Sequence, residues 1–247
     1  MRYGGRRPFR RTGSRVKAIV LAGGLGTRLS GIIRDIPKPM AVVGSRPFLA
    51  YLLDYLVDQN IQAAVLAVSY RWEMIREYFG DEYRGMPLTY SVEAEPLGTG
   101  GGIRHAMNSF SDEEVVVVNG DTLFKVELEN MLKQHRASRA QLTIALKQVP
   151  DSGRFGHIDI TPDGVIDGFL EKSAAGPGLI NGGVYMLNRR LLDEFPMPAR
   201  FSFERDLLES NLAHIRPRGY LSDAYFIDMG VPDDYERAQN CLLYTSP

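Results

Sequence analysis

Along the chain, short apolar runs rich in β-branched residues alternate with longer stretches whose apolar positions recur every three or four residues. KAIVLA (17–22), AAVLAVS (63–69), LTYSVE (88–93), EEVVVVN (113–119) and QLTIALKQV (141–149) read as strands. Between them PFLAYLLDYLVDQN (47–60), RWEMIREYFGDEY (71–83) and LENMLKQHRAS (128–138) read as helices, and GTGGGIRHAMNSF (98–110) as a loop entering a helix. Such alternation predicts an α/β fold, a Rossmann-like, mostly parallel (mixed) sheet flanked by helices. Four consecutive valines at 115–118 leave no polar face, so their strand belongs in the buried middle. Past residue 150 the pattern changes to FGHIDIT (155–161), GVIDGFLEK (164–172) and GLINGGVYMLN (178–188), shorter strands with turn residues between them. These predict a small antiparallel lid or second lobe. FSFERDLLESNLA (201–213) reads as a helix, AYFIDMG (224–230) as a strand, and PDDYERAQN (232–240) as a helix opening on proline.

Composition narrows the class. A chain of 247 residues, 44% hydrophobic, can bury a full core. No window approaches the roughly 18 to 20 apolar residues of a membrane span, and the charged start lacks the apolar segment of a signal peptide. A cytoplasmic protein with no membrane and no nucleic acid partner is the expectation. One cysteine, Cys241, excludes an internal disulfide and a thiolate zinc cluster. The net charge of −1 hides an asymmetry, because residues 1–15 hold six arginines and no acid. That aperiodic stretch reads as a disordered basic leader. At the other end CLLYTSP (241–247) breaks the helical pattern and reads as a non-native tail, leaving one folded domain over 16–240.

Candidate chemistry gathers at the ends of the predicted strands, where helix N-termini and loops present unpaired N–H groups. LAGGLGTRL (21–29) lacks both the third glycine of the dinucleotide fingerprint and the lysine of a phosphate-binding P-loop. What remains, Gly23, Gly24, Gly26 and Thr27 followed by Arg28, suits wrapping a polyphosphate. A glycine-rich surface turn with a solvated arginine would look the same. In DIPKPM (35–40) two prolines stiffen the backbone around Lys38, although a solvent lysine in such a loop is common. VVVVNGDTL (115–123) delivers Asp121 from a strand end beside Gly120, and YFIDMG (225–230) delivers Asp228 in the same way. Two such carboxylates suit Mg²⁺ with phosphates; alternatively each caps a turn. EAEPLGTGGG (93–102) is a second glycine-rich loop that could cradle a base or ribose. Glu171, Lys172, Asn181 and Gly182 supply a carboxylate, an ammonium and an amide on the later strands.

Taken in order, LAGGLGTRL, PKPM, EPLGTGG, NGDTL, EK, NGGVY, FSFERD and FIDMGVPDDY resemble the sugar-1-phosphate nucleotidyltransferases over about residues 17 to 240. The likeness is greatest to the branch that activates heptose 1-phosphates with GTP, with mannose, glucose and muramic acid transferases sharing most of these runs. It implies attack of a sugar 1-phosphate on the α-phosphorus of a nucleoside triphosphate, giving a nucleotide sugar and pyrophosphate with Mg²⁺ assisting. Matched to this chain, it implies Leu21, Gly23, Gly24, Gly26, Thr27, Glu95, Gly98, Thr99 and Gly120 around the nucleotide. Arg28, Lys38 and Asp121 become catalytic, and Asp121 and Asp228 hold the metal. Gly156, Glu171, Lys172, Asn181 and Gly182 surround the sugar phosphate. Apolar later strands suit a homodimer. A metal-dependent glycosyltransferase, which would carry a second carboxylate after the buried strand, and a non-catalytic nucleotide-binding relative are the competing classes.

Overall fold

The computed structural model describes residues 16–24, 35–153, 155–170, 176–230 and 232–242. The first strand, β1 (Lys17–Leu21), is followed by a 3-10 turn at Lys38–Met40 and a small antiparallel hairpin, β2 (Val42–Val43) with β3 (Arg46–Pro47). Helix α1 (Phe48–Asp58) starts directly after Pro47, and eight of its eleven residues are buried. Then come β4 (Ala64–Val68), α2 (Trp72–Phe79), β5 (Glu82–Tyr83), β6 (Met86–Val92), α3 (Gly98–Met107) and β7 (Glu114–Asn119). A left-handed Gly80, φ 66°, stops α2, so the sequence beyond it forms the short edge strand β5 instead of more helix.

The second half comprises β8 (Thr122–Phe124), α4 (Leu128–Ser138), β9 (Leu142–Val149), β10 (His157–Ile160), β11 (Ile166–Leu170) and β12 (Gly178–Asn188). It ends with α5 (Arg190–Glu194), α6 (Leu212–Ile215), β13 (Arg218–Leu221), β14 (Phe226–Asp228) and α7 (Pro232–Leu242). Eight strands form one mixed sheet in the order β13-β9-β12-β7-β1-β4-β6-β5. The run β7-β1-β4-β6 is parallel, and β12 enters antiparallel to both β7 and β9.

The four valines sit at the centre as the pattern requires. Val116 and Val118 join the core under α1 and α4, while Val115 and Val117 join the core under α3. Each fully buried valine contributes roughly 1.5–3 kcal/mol of transfer free energy, and neither face could hide a polar substitute.

Three expectations are corrected. Residues 178–188 are not part of a lid: β12 is an eleven-residue strand of the main sheet, whose register shifts between Asn181 and Tyr185. Of the three expected lid segments, only those of β10 and β11 form a separate antiparallel sheet. The expected helix over 201–213 is instead a π-type turn (Phe203–Leu208), a 3-10 turn (Glu209–Asn211) and the short α6. Its start is tied down locally, since Ser202 N–H donates to Asp206 and Asn211 takes the carbonyl of Leu207. Third, α7 runs on through Cys241 to Leu242, past the expected break. The leader and residues 243–247 lie outside the described residues. Among the described residues no helix is long and apolar enough to cross a membrane.

Candidate active site

A cavity of about 410 Å³ opens where the parallel strands end, between Leu21 of β1, Ala67 of β4, Glu93 after β6 and Asn119 of β7. This is the edge at which an α/β sheet offers its ligand crevice. Gly23 and Gly24 line it directly after β1. Gly23 is held by Ser69, whose hydroxyl donates to its carbonyl at 2.7 Å. Gly120 is required for a different reason: its N–H donates to Leu21 O at 3.0 Å, and a Cβ there would stand 2.6 Å from the same oxygen. Without it the turn that carries Asp121 could not lie against the end of β1.

Asp121 and Lys38 meet in this cavity. Lys38 Nζ donates to Asp121 Oδ2 at 2.5 Å, and the lysine side chain is only 12% exposed. Pro39 and Met40 are buried beside it, so the 3-10 turn is anchored by its apolar residues while the ammonium faces the cavity. Asp228 is brought beside this segment from the far end of the sequence, although it is not among the residues that line the cavity. β14 pairs antiparallel with β8, setting Asp228 opposite Thr122, and Met229 N–H donates to Asp121 O at 2.9 Å. The two carboxylates therefore stand on adjacent backbone segments. Among the described residues no group of three or more His, Cys, Asp or Glu gathers. Asp121 in the cleft with Asp228 on the adjacent segment is a donor set of the kind Mg²⁺ takes from a protein, one or two carboxylates with the remaining ligands from phosphate and water.

The second glycine-rich run differs from its expected form. Gly98 opens α3 with φ 73°, and Gly100, Gly101 and Gly102 lie within the helix. Their purpose is packing. A Cβ on Gly98 or Gly101 would stand 2.5 Å from the carbonyl of Phe201 or Ala199, and one on Gly100 would enter the Phe201 ring. Phe201 O also accepts the N–H groups of Gly100 and Gly101, so this helix N-terminus is occupied by the chain itself. Gly98 and Thr99 still line the cavity. Glu95 is exposed and is not among the lining residues; Glu93, two positions earlier, is. Burial raises the pKa of Glu93, opposed by the Leu97 N–H, which donates to Glu93 Oε2 at 2.9 Å, and by nearby His105. Gly102 leaves room for that carboxylate, since a Cβ would stand 2.6 Å from Glu93 Oε1.

For the residues expected around the sugar phosphate the correspondence is mixed. Asn181 is half-buried on β12, its Nδ2 donating to Tyr185 Oη at 2.8 Å. Gly182 turns its missing side chain toward the Phe124 ring, 2.3 Å from a built Cβ, and so serves packing. Gly156, φ 86°, shapes the turn before β10. Gly26, Thr27, Arg28, Glu171 and Lys172 lie outside the described residues. Sequence reasoning passed over Glu93, Tyr185 and Glu204. The last two stood inside quoted runs, but nothing in their spacing reveals that Tyr185 Oη donates to Glu204 Oε1 at 2.9 Å.

A model of the nucleotidyl transferase family matches residues 17–244. The chain is 45% identical over 229 residues to the D-glycero-alpha-D-manno-heptose 1-phosphate guanylyltransferase of Aneurinibacillus thermoaerophilus, covering 93% of this chain and 99% of that one. To the enzyme of the same name from Campylobacter jejuni it is 43% identical, covering 89% and 97%. The crystal structure of HddC from Yersinia pseudotuberculosis complexed with GMP-PN superposes with a TM-score of 0.82 at 34% identity, covering 92% of this chain and 99% of that one.

Proposed function

Because the chain belongs to the nucleotidyl transferase family, we propose that it transfers a guanylyl group from GTP to D-glycero-α-D-manno-heptose 1-phosphate, releasing pyrophosphate. The observation that carries this reading is the 45% and 43% identity, over nearly the full length of each protein, to two enzymes bearing that name.

The nucleophile is a phosphate oxygen of the sugar 1-phosphate. Its second ionisation lies near pH 6, so at neutral pH it is already an anion and needs no general base. A bond forms from that oxygen to the α-phosphorus while the α–β bridging bond breaks, and pyrophosphate leaves with the electron pair. Approach is the difficulty: two like unit charges 4 Å apart repel by about 4 kcal/mol at an effective dielectric near 20, and here both reactants carry several. Catalysis therefore consists mainly of alignment and neutralisation. Lys38 commits one of its donors to Asp121 and keeps two for the α-phosphate. Arg28 meets the departing pyrophosphate, and Lys172 the sugar's phosphate, with Glu171 and Asn181 on hydroxyls. Asp121 and Asp228 would hold Mg²⁺, whose charge would further offset the repulsion between the reactants.

The test is a matrix of the four nucleoside triphosphates against mannose, glucose and heptose 1-phosphates with Mg²⁺, read by pyrophosphate. GTP with the heptose phosphate is expected to give the highest kcat/KM. A preference for CTP or UTP would overturn the reading.

A further inference from the structure

Tyr185 takes no part in the chemistry above, yet it closes a hydrogen-bonded chain from Asn181, assigned above to the sugar, to Thr99 on the cavity wall. The residue is fully buried. Burial, reinforced by the charge of Glu204, holds its pKa well above the ordinary value, so the phenol stays a donor. It donates to Glu204 Oε1 at 2.9 Å and accepts from Asn181 Nδ2 at 2.8 Å. Beyond Glu204, the hydroxyl of Thr99 donates to Oε2 at 2.9 Å and accepts from Phe203 N–H at 2.8 Å. At the other end Gly183 N–H donates to Asn181 Oδ1 at 2.9 Å. Since a backbone N–H can only donate, the amide orientation of Asn181 is fixed by its partners. Among the described residues the second Nδ2 hydrogen meets no acceptor.

The backbone is bent to make this possible. Residues four apart on a regular strand are separated by about 13 Å, too far for an asparagine amide to meet the tyrosine hydroxyl without a change of register. β12 shifts register between these two positions, with Gly183 at φ 70°, where a Cβ would stand 2.8 Å from Asn119 Nδ2. Phe203 packs edge-on against the Tyr185 ring at 5.5 Å, so the ring stays in place whether or not it carries a hydroxyl.

We propose that Tyr185 is a positioning residue: it sets the Asn181 amide against the sugar 1-phosphate and, through Glu204, ties that amide to Thr99 on the wall of the nucleotide cavity. The inference rests on the reaction proposed above. Its consequence is that the seat of one reactant is built to the position of the other.

Steady-state kinetics test it, with GTP and sugar 1-phosphate varied separately for wild type, Tyr185→Phe, Glu204→Gln and the double variant. Tyr185→Phe is expected to raise KM for the sugar 1-phosphate about tenfold while KM for GTP moves less than about twofold. Glu204→Gln weakens the acceptor and raises the same KM about threefold, and it carries the test should Tyr185→Phe not fold. The double variant is expected to be no worse than Tyr185→Phe alone, since both changes break one chain. A merely structural tyrosine would lower the unfolding midpoint and leave both KM values in place. Wild-type turnover with an unmoved sugar-phosphate KM in Tyr185→Phe, or effects that multiply in the double variant, would overturn the positioning role alone. Wild type that releases no pyrophosphate would defeat the reaction and this role together.

Discussion

Asp121 owes its place in the cavity to the strand before it. A strand with four valines and no polar face has to end at the sheet's centre, and the first carboxylate after it has to emerge at the ligand edge. Its contact with Lys38, 83 positions away, could not be read that way, because two prolines state only that the lysine is held, not where it points. Asp121→Asn is expected to lower kcat at least 100-fold, about 2.7 kcal/mol of barrier, with an unchanged unfolding midpoint; turnover within tenfold of wild type at saturating Mg²⁺ would remove Asp121 from the mechanism. Glu93 was hidden by its near neighbour Glu95, and what separates them is burial. Guanine offers a ring N–H and an exocyclic amine side by side, and a carboxylate can accept both where an amide accepts one. Glu93→Gln is therefore expected to raise KM for GTP about tenfold, measured against an unchanged KM for the sugar 1-phosphate.

Elements were read well where periodicity alone decides them and poorly where partners decide. The parallel run β7-β1-β4-β6 followed from apolar strands alternating with helices. The glycines and asparagine of β12 look like turn residues and so suggest lid material, whereas the sheet absorbs them as a register shift. The glycines at 98–102 suit a ligand cradle by composition; Gly98 does line the cavity, while Gly98, Gly100 and Gly101 also form the surface onto which residues 199–201 lie and Gly102 makes room for Glu93. Two glycines of the cavity therefore separate in their effects. Gly98→Ala meets a backbone carbonyl at 2.5 Å and a left-handed φ of 73°, and is expected to destabilise by about 3 kcal/mol, lowering the unfolding midpoint by roughly 6–12 °C. Gly24→Ala finds no described atom within 4 Å and is expected to leave that midpoint unchanged. Thermal unfolding of the two variants side by side checks the contrast.

For the whole molecule, one buried group sets an acid limit. His135 on α4 is 1% exposed, its Nδ1 faces Thr143 Oγ1 at 2.8 Å, and its Nε2 has no hydrogen-bond partner among the described residues. Burial depresses its pKa, with Glu114 opposing and Arg136 reinforcing. The unfolded chain therefore binds a proton at this site near pH 6.5, where the folded protein still resists it. The stability it contributes is complete above pH 6.5 and falls as pH drops toward the folded value. Urea midpoints are expected to decline between pH 7.5 and 5.5, and to decline less in His135→Gln; parallel curves for the two proteins would exclude His135 as the cause.

At the same scale stands the claim on which the rest depends, that two anions are brought together on this sheet edge and exchange a phosphoryl bond without a protein nucleophile. Pyrophosphate release measured with each component withheld in turn tests it most directly. Release is expected only when GTP, heptose 1-phosphate and Mg²⁺ are all present, in a one-to-one ratio with the nucleotide sugar formed. Pyrophosphate or phosphate released from GTP alone, at a rate comparable with the complete mixture, would contradict it.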